Sequence, residues 1–312
     1  MISLVVLTQP TSNAELQDFG TELIVIHGGI DATKAALDDL SVFNVSLEEW
    51  LELPTAVMGP AGRAFHAACV VGTQIYIFAG HVYLPEHKRL HQFNDLWRLD
   101  TETWQWHRLD VSPDLPQPLP RDRTSMVALD KERLFIYGGA DSHGKRLDDM
   151  WVYNLKTGVW EEVLVQGNKP KPRCSSSLFS LGNRVMLFGG DSYGPLNDLW
   201  SLRGVLSNGA EGHGTSWMPL QLDTPSPAPR RGHAAIYDGQ WGVVLVGGFS
   251  EQKSLLGIKK QPEYLMDVYI LQRQQTCLAW REVECAEGGP KPREKHTICK
   301  LKDGRLLLFG GK

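Results

Sequence analysis

The chain has 312 residues, 42% hydrophobic and 22% charged, near the averages of folded globular proteins, which excludes disordered and fibrous designs. A net charge of −4 and a pI near 6.2 give no overall pull toward nucleic acid or an anionic membrane. The cysteines, Cys69, Cys174, Cys277, Cys285 and Cys299, are odd in number, widely spaced and without a CxxC pair. They read as reduced thiols of a cytoplasmic or nuclear protein, not as a disulfide framework or zinc site.

The opening ISLVVL is apolar but far too short to span a bilayer, and no positive segment precedes it. It reads as a strand rather than a signal peptide. From there an apolar strand ending in a diglycine recurs: ELIVIHGG to Gly29, QIYIFAG to Gly80, RLFIYGG to Gly139, RVMLFGG to Gly190, GVVLVGG to Gly248 and RLLLFGG to Gly311, at intervals of 51, 59, 51, 58 and 63 residues. A period of this size is the signature of a repeat architecture.

Fixed neighbours surround each copy. Upstream of every copy but the first lies a Pro-rich turn with an arginine, taken as Arg63, Arg123, Arg173, Arg231 and Arg293. Downstream an aspartate heads a short alternating strand (Asp39, Asp95, Asp149, Asp198, Asp267), and a tryptophan follows at Trp50, Trp106, Trp160, Trp217 and Trp280. Each unit therefore predicts four short strands, the blade of a β-propeller. Ala79 replaces the first glycine of the second copy. It predicts a negative φ or mild strain there, without loss of the blade.

Diglycine, aromatic strand and spaced tryptophan in register resemble the Kelch repeat family over essentially the whole chain, in the style of F-box-associated and acyl-CoA-binding-associated Kelch proteins. The expected fold is all-β: a Kelch-type propeller of six repeats of four-stranded antiparallel blades, the last incomplete. It forms a single domain over 1–312, with blades near 1–54, 55–112, 113–166, 167–222, 223–285 and 286–312. The chain stops one residue after Gly311, which suggests a fragment or truncated gene model over a natural open end.

No diglycine sits in GxGxxG or GxxxxGK[ST], so phosphate binding is not indicated. His66, His233 and His296 recur at matching places, and they read as structural residues rather than metal ligands. Kelch-like propellers include copper oxidases, sugar epimerases and iron-dependent specifier proteins, but neither an ExxxDxxxH cluster nor a Ser-His-Asp order stands outside the repeat. The expectation is no enzyme, no cofactor and no metal. The alternative is a propeller enzyme acting on a sugar or small metabolite at the channel mouth.

Specificity on a repeat scaffold resides in its loops. The loops from second to third strands, together with the interblade segments, emerge on one face and hold 18 Lys and Arg against 13 Asp and Glu. The candidate partner-binding residues on that face are Arg63, Tyr83, His87, Lys88, Arg89, Arg123, His143, Lys145, Arg146, Arg173, Tyr193, Arg231, Lys259, Lys260, Tyr264 and Arg293. A scaffold role suffices for several of the arginines. The resemblance implies a monomeric, non-catalytic adaptor, such as ubiquitin-ligase substrate recognition or a trafficking scaffold. Its expected partner is an acidic or carboxylate-bearing protein segment, with no nucleic acid and no membrane. No F-box, BTB or acyl-CoA-binding segment is present to choose among these roles.

Overall fold

The structure is a computed structural model that describes residues 3–7, 22–53, 58–181, 184–205, 214–239, 242–251, 262–274, 277–286 and 288–312. Five four-stranded antiparallel sheets follow one another. The first blade is β1 (Ser3–Leu7), β2 (Leu23–Ile30), β3 (Ala36–Asn44) and β4 (Glu49–Leu51). The second pairs β5 (Ala67–Val71) and β6 (Gln74–Phe78) with β9 (Leu96–Asp100) and β10 (Gln105–Arg108). Between β6 and β9 it carries an inserted hairpin, β7 (His81–Leu84) and β8 (Arg89–Gln92), where the sequence had suggested only a loop.

The third blade is β11 (Ser125–Ala128), β12 (Arg133–Ala140), β13 (Arg146–Asn154) and β14 (Val159–Glu162). The fourth is β15 (Ser177–Leu181), β16 (Arg184–Asp191), β17 (Pro195–Arg203) and β18 (Ser216–Leu220). The fifth is β19 (Ala234–Tyr237), β20 (Val243–Ser250), β21 (Glu263–Gln274) and β22 (Cys277–Val283). The sixth repeat is a two-stranded sheet of β23 (His296–Lys300) and β24 (Leu306–Gly310). The expected six repeats thus resolve into five complete blades and a two-stranded sixth.

Alternation along the second strands explains the packing. In β12, Leu134 and Ile136 face the second blade, whereas Phe135 and Tyr137 face the fourth. A strand buried on both faces reads as a continuous apolar run, which is why RLFIY and its relatives show no polar alternation. The hydrophobic core is accordingly divided among the seams between blades. The ring closes where Ile24 and Ile26 of the first blade pack on Cys299 and Leu301 of the sixth. At the same seam the Glu22 carboxylate accepts the Lys302 N–H at 2.7 Å. The first strands β1, β5, β11, β15, β19 and β23 neighbour one another around the axis. They surround a channel of about 200 Å³ lined by small and polar residues, including Ala68, Ser125, Ser177, Ala235 and Thr297.

The diglycine is a bulge. In four blades the ladder between second and third strands shifts register at its first glycine, which takes left-handed φ, +62° at Gly138, the conformation a glycine bulge requires. Ala79 keeps that conformation at φ +63°, so the expectation of a negative φ is corrected. A built Cβ on Gly28, Gly189 or Gly247 would meet the histidine of the next blade, His66, His233 or His296, at 3.2, 2.9 and 2.9 Å. After Ala79 the next blade has Thr124 in that place, and its hydroxyl turns to the Tyr137 carbonyl at 3.1 Å.

Candidate functional site

The arginines sort into two groups with different seats. Arg63, Arg121, Arg173 and Arg230 are completely buried, and each follows the Pro-rich turn. Arg173 is typical: its Nε donates to the Lys171 carbonyl at 3.0 Å and its Nη1 to the Gly189 carbonyl at 2.9 Å. The fork then binds both oxygens of Asp198 at 2.6 and 2.8 Å, and Trp200 Nε1 donates to the same carboxylate at 2.7 Å. Arg63 with Asp95, Arg121 with Asp149 and Arg230 with Asp267 repeat the arrangement. Burial raises a carboxyl pKa, but the paired guanidinium more than reverses it, so Asp95, Asp149 and Asp198 titrate below the usual carboxylate range.

The same arginines join adjacent blades through their backbone. The carbonyls of Arg63, Arg121, Arg173, Arg230 and Arg293 accept the N–H of the preceding blade's second glycine, Gly29, Gly80, Gly139, Gly190 and Gly248. Arg63 and Arg173, expected on the recognition face, are therefore interior braces. Arg293 occupies the same seat, donating to the Lys291 and Gly310 carbonyls at 3.0 and 2.8 Å. In the other two repeats the braces are Arg121 and Arg230, not Arg123 and Arg231. The signal was legible as a Pro-Arg dipeptide, Pro120-Arg121 and Pro229-Arg230.

Arg123 instead belongs to a collar around the channel mouth, and Arg231 lies between its brace and that collar. Two residues beyond each brace stand Phe65, Arg123, Ser175, Gly232 and Lys295, all left-handed with φ from 51° to 62°. Their backbones link blade to blade: Arg123 N–H to Phe65 O at 2.9 Å, Ser175 to Arg123 at 2.9 Å, Gly232 to Ser175 at 3.3 Å and Lys295 to Gly232 at 2.6 Å. The residue between brace and collar bridges the residue after its own diglycine, as in Ala64 with His81, Asp122 with Ala140, Cys174 with Asp191 and Arg231 with Phe249.

Three buried carboxylates that the sequence reading did not single out organise this rim. Asp122 accepts from Arg123 Nε at 2.7 Å and lies 2.5 Å from His81 Nδ1. Burial would raise its pKa, but His81 and Arg123 hold it below the usual range. Asp191 accepts from Arg146 Nε at 3.1 Å and from Arg231 Nη1 at 3.3 Å. Glu294 pairs with Lys295 at 3.2 Å and Lys312 at 3.3 Å. Paired with these three acids are five cations, Arg123, Arg146, Arg231, Lys295 and Lys312, and the exposed Asp31 lines the same cavity as Lys295 and Lys312. Aromatic faces lie beside two of the arginines: Arg231 over Phe249 at 4.6 Å, Arg146 over Tyr193 at 5.2 Å, and Phe249 against Tyr264 at 5.5 Å.

The other expected residues fall on the same loop face. Tyr193 is 76% exposed, and Tyr83 and Tyr264 are also exposed. His143 and Lys145 are exposed in the turn before Arg146, while His87, Lys88 and Arg89 form the tip of the inserted hairpin. Lys259 and Lys260 lie outside the described residues. Among the described residues no cluster of three His, Cys, Asp or Glu side chains could hold a metal ion. Nor among them is any helix long and apolar enough to cross a membrane.

The family model of the KLHDC2/KLHL20/DRC7 Kelch-repeats domain matches residues 14–190 and 116–311. The chain belongs to this Kelch-repeat propeller family. It is 27% identical to an F-box/kelch-repeat protein of Arabidopsis thaliana over 97% of this chain and 66% of that protein. It is 31% identical to the Dynein alpha chain, flagellar outer arm, of Chlamydomonas reinhardtii over 84% of this chain and 6% of that one. To Host cell factor 1 of Homo sapiens it is 28% identical over 72% of this chain and 11% of that one. The chain thus spans less than two thirds of each relative.

Proposed function

We propose that this propeller is a non-catalytic protein-binding module, an adaptor or substrate-recognition scaffold. It holds an acidic or carboxylate-bearing segment of a partner protein across the loop face. The observation that carries this reading is the rim: five cations are held by three buried carboxylates, and two of them, Arg146 and Arg231, lie over the rings of Tyr193 and Phe249. Cations already aligned by buried acids lose little freedom on meeting an incoming carboxylate, and exposed tyrosines supply contact area at low entropy cost. The family favours the same reading, and the F-box named in the Arabidopsis relative supports a substrate-recognition role. A monomeric protein of the cytoplasm or nucleus fits the free thiols.

The test is binding of a fluorescent Glu- and Asp-rich decapeptide to the intact chain. Replacing Arg123 and Lys295 together by Gln leaves the backbone collar in place and is expected to weaken binding about tenfold at low salt, with a shallower salt dependence. Unchanged affinity in that variant would sink the basic-rim reading.

A further inference from the structure

Among the described residues only the second blade raises a hairpin from its loop face. Directly opposed residues of an antiparallel pair share a face. The pairs His81↔Gln92 and Tyr83↔Leu90 therefore lie on one face, and Val82↔His91 and Leu84↔Arg89 on the other. The root fixes which way the first face looks: His81 Nδ1 lies 2.5 Å from Asp122, and Gln92 Nε2 donates to the Ala140 carbonyl at 3.1 Å, both in the third blade. The His81 ring also stacks on Phe65 of the collar at 5.1 Å, and the Phe93 N–H donates to the Gly80 carbonyl at 2.9 Å. The hairpin is thus anchored on both sides of its base.

One step farther out on the anchored face stand Tyr83 and Leu90, 50% and 45% exposed. They form an apolar wall on the face whose root, His81, meets Asp122, and the basic tip, Lys88 and Arg89, lies next to them in the chain. A bulky apolar pair exposed on a short anchored hairpin marks an interaction site more than a packing need. A flat bilayer is a poor match, because the pair is turned toward the neighbouring blade.

We infer that the Tyr83–Leu90 wall is a second subsite of the loop face, taking one bulky aliphatic or aromatic side chain of the same partner segment whose acidic part meets the collar. This rests on the function proposed above. The wall stands about 7 Å along the hairpin from His81, since a strand rises about 3.4 Å per residue. An extended partner would therefore carry its apolar residue roughly two to four positions from its acidic group.

The probes are two peptide pools, one of random decapeptides of Asp, Glu, Ser and Gly, the other identical but with a single Leu or Trp at each position in turn. The intact chain is expected to bind the second pool about tenfold more tightly, the equivalent of burying one such side chain. Replacing both Tyr83 and Leu90 by Ser, at exposed positions, is expected to abolish that preference, so that the variant binds the two pools alike. Equal binding of both pools by the unaltered chain would overturn the wall and leave the basic rim standing, as would a preference that survives the double substitution. Failure of both pools to bind would overturn both readings. Capture of the chain by phosphatidylserine vesicles through Tyr83 and Leu90 would overturn the polypeptide reading in favour of a membrane.

Discussion

Ala79 sits in the left-handed seat that glycine fills in the other five repeats, at φ +63° and fully buried. A Cβ at that conformation is crowded by its own backbone, a cost of about 1–2 kcal/mol that the stiffer unfolded chain of alanine offsets only in part. Ala79→Gly is expected to stabilise the protein by about 0.5–1 kcal/mol, seen as a higher urea midpoint with an unchanged slope. The same change at an ordinary buried strand position would destabilise. The brace arginines show a second residue-scale rule. Arg63, Arg121, Arg173 and Arg230 each spend the guanidinium on a carboxylate and two carbonyls, so a group that looks available in sequence is consumed inside the blade. Only the arginines one or two residues farther on keep an exposed edge.

At the scale of the element, the fourth-strand tryptophans tie each sheet to the one before. Trp160 packs on Phe78 at 5.1 Å, Trp217 on Tyr137 at 5.6 Å and Trp280 on Phe188 at 5.0 Å, always across a seam. Trp217 also points its Nε1 at Met150 Sδ, 3.1 Å away. Trp50 of the first blade is different: it rests on Phe43 of its own sheet and is 55% exposed. Removing a buried tryptophan costs about 3–5 kcal/mol, whereas a half-exposed one contributes far less. Trp217→Ala should therefore lower the thermal midpoint severely, and Trp50→Ala should shift it by a few degrees at most. Equal effects in a melting experiment would contradict the division of the core into seams.

For the whole molecule, the seams carry a pH liability. Burial lowers the His27 pKa to about 4, His233 to about 3 and His296 to about 4, and pushes His66 well down, with nearby arginines adding to the effect at His27, His66 and His233. In the folded state these rings stay neutral down to those values, while in the unfolded chain they take up protons near the ordinary 6.5. Unfolding therefore gains protons as pH falls, and stability declines from about pH 6.5 toward about 4, by as much as about 1.4 kcal/mol per pH unit for each ring. Urea midpoints measured across this window should fall steadily, and a flat profile would refute the account. Asp95, Asp149 and Asp198 act lower: with depressed folded pKa values their stabilisation is present above the usual carboxylate range and is lost only as pH drops through them.

What the sequence alone determined is whatever each repeat must satisfy within itself. The bulge needs glycine, the brace needs arginine before the first strand and aspartate at the third, and the seam needs an aromatic on the fourth. These demands recur every 51 to 63 residues and so stand out by repetition, which made the propeller, its strands and its loop face legible. The candidate site was legible only in outline. Tyr83, Lys88, Arg89, Arg146, Tyr193 and Tyr264 fall on the expected face, but the rim that orders them could not be read. Asp122 meets His81 across 41 residues and Asp191 meets Arg146 across 45, and the chemistry at those positions differs in every copy. Only the tertiary structure decided which arginines are buried, that one loop is a hairpin with an apolar face, and that the sixth sheet closes on the first. Contacts between blades join residues distant in sequence, where no period survives to announce them.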